Sequence, residues 1–393
     1  MLVNFIINEL NCSTIFLPMN RLIILGNGFD LAHNLKTSYS DFLKYYWSQV
    51  KDNYDDGLIR FKSLHLTKTC YSLQEVEIMK LAANKYTHNT IIFEVQNKFF
   101  LKLNRNCSGG NWVDIEMFYY QCLKAHFPAH NLQAIKKLND EFEAVKLQFE
   151  SYISHVVNST ENLSDHLVPE MCKIFQPIHD GSKYNFRLLN KLRDKVRMKV
   201  EDESSIRTVN ERTFQIDPLT SHVHVLNFNY TKTISMYFEA LEENQNFRVN
   251  YIHGEADNRQ NPVVFGFGDE RDKFFSDLED INENEYLRFM KSNAYLQTLN
   301  YHNLLNFIES GSYIIEILGH SCGLSDRTLL KTIFENINCV HIFMAYHLRK
   351  DGTDNFTDLS LNISRHFDDK IMMRSKVANK RFCDPLPQFL EML

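Results

Sequence analysis

The chain has 393 residues, 44% of them hydrophobic and 23% charged, with a formal net charge of -6. That is the composition of a globular chain long enough for a large core or two domains. Both charge signs are mixed along it without a basic block, which argues against a general nucleic-acid binder, and no apolar run is long enough to span a bilayer. The eight cysteines are scattered without a CxxC pair, so a reduced, cytoplasmic setting without a zinc site is expected.

Residues 1–18 are apolar but lack a basic leader and carry Glu9, so they read as an N-terminal extension or an edge strand rather than a secretory signal. "RLIILG" (21–26) is an apolar run suited to a strand buried on both faces, as in parallel sheets. An aromatic-faced helix is expected over 39–50, capped by Ser38 or Ser40. From 51 to 220 the pattern predicts a mostly helical insertion, a lid or sensor, with helices over 141–157 and 184–200. Strands are then expected at 222–228 and 248–254 and a strand or strand end at 262–268, with helical stretches over 233–241 and 283–309. The segment 312–346 reads as strand, amphipathic helix capped by Ser325 or Asp326, and strand, a βαβ unit whose two strands should run parallel. The expected fold is therefore α/β: a mostly parallel sheet flanked by helices, built from 19–50 and 221–393, with a large helical insertion after the first strand–helix unit.

The candidate chemistry sits at the ends of those strands. Gly26-Asn27-Gly28 lies between a strand and a helix start, a pattern suited to cradling a phosphate and equally to a tight turn. The position of a third fingerprint glycine holds Leu31, which disfavours a hydride-transfer enzyme, and neither GxxxxGK[ST] nor GxSxG is present. Asp30 would repel a phosphate, so it reads as a ribose contact or a helix cap. Asn227 and Asn229, two apart at a strand end, could hold a ribose hydroxyl or a water, or satisfy the turn backbone. His253 precedes Gly254 at the next strand end and could move a proton near neutral pH. Gly319, Ser321 and Asp326 repeat the arrangement after a further strand, where a second phosphate, a ribose or a turn would use them. In "NWVDIE", Asp114 and Glu116 could reach the crevice, or form the acidic first turn of a capped helix beside a core Trp112.

"NRLIILGNGFDLAHNLKTSYSDFL", "NWVDIE", "LNFNYT", "YIHG", "VVFGFGDE" and "LGHSCGLSD" together resemble the AbiH family, bacterial proteins linked to abortive infection against phage, from about Met19 to the 340s. The resemblance implies anti-phage defence in the bacterial cytoplasm, with a phage component as trigger. The order of GxG, Asn-Tyr, His-Gly and Gly-x-Ser…Asp is more distantly similar to sirtuin-like domains, which are Rossmann-like. The phage-defence branch of these binds NAD and cleaves its nicotinamide–ribose bond. That likeness implies the pyrophosphate on Gly26 and Gly28, and the ribose or attacking water on Asn229. It makes His253 the base or ribose-activating group, and puts the adenosine side on Gly319, Ser321 and Asp326. The chain departs from the pattern at Asp30, where Ser or Thr is usual, and at Thr231, where Asp is common. It also lacks the zinc cysteines of deacetylating sirtuins. The expectation is an NAD+ glycohydrolase needing no cofactor, with NAD+ or a related nucleotide as substrate. It would be a homo-oligomer with no membrane or direct nucleic-acid partner. The alternatives are a nucleotide sensor without turnover, or a metal-dependent nuclease built on Asp30, Asp114, Glu116 and Asp269.

Overall fold

Six successive residues from Asn20 to Leu25 are buried, and four of them, Leu22 to Leu25, are aliphatic and fully buried. A strand can hide every side chain only when both faces of its sheet are covered. The computed structural model, which describes residues 14–51, 53–62, 72–86, 92–107, 114–157, 167–176, 213–217, 221–243 and 246–389, places this strand at the centre of such a sheet. The expected helix over 184–200 and Trp112 lie outside the described residues.

In chain order the strands are β1 (Thr14–Pro18), β2 (Asn20–Leu25), β3 (Tyr54–Asp55), β4 (Ile59–Lys62), β5 (Ile92–Val95), β6 (Thr213–Asp217), β7 (Val223–Asn227), β8 (Phe247–Tyr251), β9 (Tyr313–Leu318) and β10 (Cys339–Ala345). The main sheet has the order β10-β9-β2-β7-β8, and all its pairings are parallel. β7 and β8 follow β2 outward on one side, and β9 and β10 on the other. The strand order thus reverses beside β2, where open α/β sheets place their ligand crevice. β1 pairs in parallel with β6, so the N-terminal stretch does contain a strand, in a separate two-stranded sheet.

The strand register aligns the ends of the main sheet. Leu25 pairs with both Asn227 and Leu318, Asn227 pairs with Tyr251, and Leu318 with Ala345. All five strands end at one level, so the residues just after them emerge along a single edge.

Tyr39–Gln49 is the expected helix, and Ser38 caps it in a reciprocal box with Asp41. Between this helix and β7 lie the helices Leu73–Tyr86, Lys98–Cys107, Ile115–His126, Leu132–Tyr152 and Pro169–Phe175. The same stretch contains the antiparallel set β3-β4-β5, which a helical reading missed because strands of two to four residues are too short to display a period. An aromatic-rich core joins the first four of these helices, with Trp47, Tyr119 and Phe142 packed in one cluster with Phe267, Tyr286 and Phe289 from beyond β8. Among the described residues no helix is long and apolar enough to cross a membrane.

Three expectations are corrected. Residues 262–268 form no strand. They carry only an isolated bridge from Phe267 to Met290, and a Cβ at Gly266 would lie 2.2 Å from Phe289 O. Their apolar character reflects a connection pressed against neighbouring backbone. The segment 283–309 is broken into the turn Asn284–Tyr286, the helices Lys291–Ala294 and Asn300–Ser310, and the turn Tyr295–Gln297 between them. The chain is held near 291 by Lys291 N–H bonding Phe267 O at 2.9 Å. The helix Arg327–Glu335 begins without a side-chain cap, because the Asp326 carboxylate is engaged elsewhere.

Candidate active site

The first strand-end turn closes on the fourth. Gly26 N–H donates to Leu318 O (3.2 Å) and Gly28 N–H to Gly319 O (2.8 Å). A Cβ on Gly28 would stand 2.7 Å from Gly319 O, and Gly319 has φ +73° with Phe29 N only 2.1 Å from its own missing Cβ. These glycines let two backbones touch. Gly28→Ala is therefore expected to lose about 1–3 kcal/mol of stability by overpacking, measurable as a lower urea midpoint. Asn27 accepts from Thr37 Oγ1 at 2.6 Å, which ties the turn to the approach of the next helix.

Asp30, 1% exposed, lies in the short helix Asn27–Ala32. Its Oδ1 accepts from Asn229 Nδ2 (3.1 Å) and its Oδ2 from Thr231 Oγ1 (2.8 Å). Burial pushes its pKa up to about 7, against the opposing effect of hydrogen bonds from Thr231, Thr233 and Asn229. A proton held more tightly in the folded state stabilises the fold fully below the unfolded carboxyl pKa. That stabilisation is lost as pH rises through about 7. Asp30→Asn lacks this dependence. The stability of the native chain relative to the variant should therefore fall by roughly 4 kcal/mol between pH 4 and pH 8, read by denaturant titration at each pH. A constant difference would place the Asp30 carboxyl in the ordinary range.

Asn229 Nδ2 also donates to Gly26 O at 3.1 Å, and its amide oxygen has no partner among the described residues. Asn227 turns its Oδ1 onto Asn229 N–H (3.0 Å) and so shapes the turn.

The third strand end carries His253, whose Nε2 lies 3.1 Å from Asp326 Oδ1 and 3.2 Å from Tyr295 OH. A carboxylate only accepts, so Nε2 carries the proton and Nδ1 is left as the basic nitrogen. Burial, then the Lys291 charge, push this imidazole below the usual histidine value, so it is neutral near pH 7. Lys291, with no exposed side-chain surface, donates to Asp326 Oδ1 and Glu116 Oε2, both at 2.7 Å. Burial disfavours its ammonium, but Asp326 and Glu116 outweigh that and hold its pKa above the lysine range. Burial works against Asp326 too. There Lys291 and His253 prevail and keep it ionised, well below the usual carboxylate range. Glu116 also accepts from Gly266 N–H at 2.9 Å, and burial pushes its carboxyl up. Asp114 caps the helix Ile115–His126 through Met117 N–H, as the capped-helix reading of "NWVDIE" expects. His320 lies 3.7 Å from Asp326 Oδ2, and burial pushes its pKa down to about 4.

These groups surround one cavity of about 520 Å³. Gly26, Asn27, Gly28 and Asp30 line it from the first turn, Asn229 from the second, and His253 from the third. Gly319, Ser321 and Asp326 line it from the fourth. Of the nucleotide-site candidates only Asn227 is not on the wall. Reasoning on the sequence missed Lys291, Tyr295 and His320. A lone lysine in "FMKSNAYL" carries no local sign of burial, whereas His320 follows Gly319 directly and could have been weighed with it. The carboxylates of the nuclease alternative are not assembled as ligands. Asp269 Oδ2 accepts from Arg327 (3.0 Å), and Glu116 from Lys291. Among the described residues no group of three or more His, Cys, Asp or Glu could hold a metal ion.

A comparison with curated proteins gives no match. The family model for bacteriophage abortive infection AbiH matches residues 22–347, a span that contains the four strand-end turns and the Lys291 cluster. The chain belongs to the bacteriophage abortive infection AbiH family.

Proposed function

We propose that this chain serves the family's abortive-infection role by hydrolysing the N-glycosidic bond of a nucleotide, NAD+ being the expected substrate. The observation that carries the reading is the meeting of His253, backed by Asp326, with Asp30 and Asn229 on the wall of one cavity. A volume of about 520 Å³ suits a small-molecule ligand. The parallel strand order, with its reversal beside β2, supports a Rossmann-like nucleotide-binding reading.

In this reading the C1′–nitrogen bond breaks with its electron pair leaving on nicotinamide, which departs neutral. Water forms the new C1′–oxygen bond and gives its proton to His253 Nδ1. The products are nicotinamide, ADP-ribose and one proton. Asn229 Oδ1 accepts from a ribose hydroxyl, and Asp326 and Lys291 act as positioning residues that hold the imidazole tautomer. The site is cytoplasmic, and the segment between residues 51 and 220 serves as lid or sensor.

The test incubates the purified chain with NAD+ and follows nicotinamide and ADP-ribose, in the resting protein and in extracts of phage-infected cells. Binding without product under both conditions would replace the hydrolase by a nucleotide sensor.

A further inference from the structure

The charge of the cavity wall says which half of a dinucleotide it suits. Four carboxyl groups line it: Asp30, Asp114, Glu116 and Asp326. Among the described residues that line it none is a lysine or arginine. The nearby Lys291 ammonium is fully buried behind the wall, and its ion pairs run to Glu116 and Asp326. Two backbone amides of the glycine turn are occupied as well. Gly26 N–H is bonded to Leu318 O and Gly28 N–H to Gly319 O, and both bonds belong to the contact between the two turns. A phosphate here would face the ionised Asp326 and three further carboxyl groups, with no lysine or arginine on the wall to pair with it directly.

A cation meets the opposite surroundings. Phe228, Tyr230 and Phe265 line the same cavity, and an aromatic face attracts positive charge. The Tyr230 and His253 rings lie close to parallel, at 25° with centroids 6.4 Å apart. An unused acceptor pair on the wall, Asn229 Oδ1 and His253 Nδ1, suits sugar hydroxyls or a water rather than phosphate oxygens, which only accept.

We propose that the cavity recognises a cationic N-riboside, a ribose joined to an aromatic ring whose linking nitrogen bears the positive charge, and that the diphosphate of a larger substrate lies outside these walls. This deepens the hydrolase reading and rests on it for the fate of the bound ligand. It relocates the expected pyrophosphate away from Gly26 and Gly28. It also turns the wall carboxyls, awkward for a phosphate site, into the selective element.

Calorimetry on the full chain tests the proposal, with nicotinamide riboside, NAD+, NADH and ADP-ribose as probes and nicotinamide release followed in parallel. NAD+ and nicotinamide riboside should bind within tenfold of one another. NADH, whose ring is neutral, and ADP-ribose, which has no ring there, should bind at least tenfold more weakly than NAD+. Asp114→Asn keeps a side chain able to cap its helix. It should weaken both cations threefold or more and leave ADP-ribose unchanged. ADP-ribose binding as tightly as NAD+, or NAD+ binding indifferent to Asp114→Asn, overturns the proposal. Riboside binding without nicotinamide release upholds it and removes hydrolysis. Nicotinamide release with ADP-ribose bound as tightly as NAD+ does the reverse. No binding by any probe overturns both.

Discussion

His253→Gln is expected to slow nicotinamide release from NAD+ by a factor of about 10²–10⁴, roughly 3–5 kcal/mol of transition-state stabilisation, with the far-UV spectrum of the protein unchanged. Glutamine keeps a donor for Asp326 and removes the basic nitrogen. In the native chain Nε2 donates to Asp326 Oδ1 at 3.1 Å, which leaves Nδ1 to receive the proton of water. Because burial lowers the imidazole pKa, the native rate should lose this base only below the ordinary histidine range. A variant that retains the full rate would remove His253 from the chemistry.

The second large effect concerns stability. Lys291→Met should destabilise the fold by about 3–5 kcal/mol, seen as a lower denaturation midpoint, because it leaves the Asp326 and Glu116 carboxyls buried without their shared cation. Both lie 2.7 Å from the ammonium. Glu116→Gln, which keeps a hydrogen-bond acceptor for Lys291, should lose less. A loss from Lys291→Met smaller than that from Glu116→Gln would show that the ammonium is not the keystone of the cluster. Such a cluster also has a bearing on function. Glu116 belongs to the helix Ile115–His126, and through Lys291 and Asp326 it is joined to the His253 ring. Displacement of that helix would change the charge beside the candidate base.

The particular elements show what was legible. β2 and β9 stand out because buried parallel strands favour largely apolar runs and because Gly26 and Gly319 come at once after them, while β7 and β10 keep a β-branched or apolar character around the buried His224 and His341. Ser38 was readable as a cap because the box it forms with Asp41 spans three residues. The run 262–268 misled because burial of a connection and burial of a strand leave the same apolar signature. Asp326 was read as a cap or ribose ligand, and in the fold its carboxylate serves Lys291 and His253.

By itself, then, the sequence determined the α/β class, the central strands and the four turns from which the candidate site is drawn. Each of these depends on spacing and steric preference over a few adjacent residues. Only the tertiary structure decided that Gly28 faces Gly319 and that Lys291 joins Glu116, 175 residues away, to Asp326, 35 residues away. The meaning of a buried charge depends on which opposite charge the fold brings within hydrogen-bond reach, and no local pattern in the chain encodes that distance.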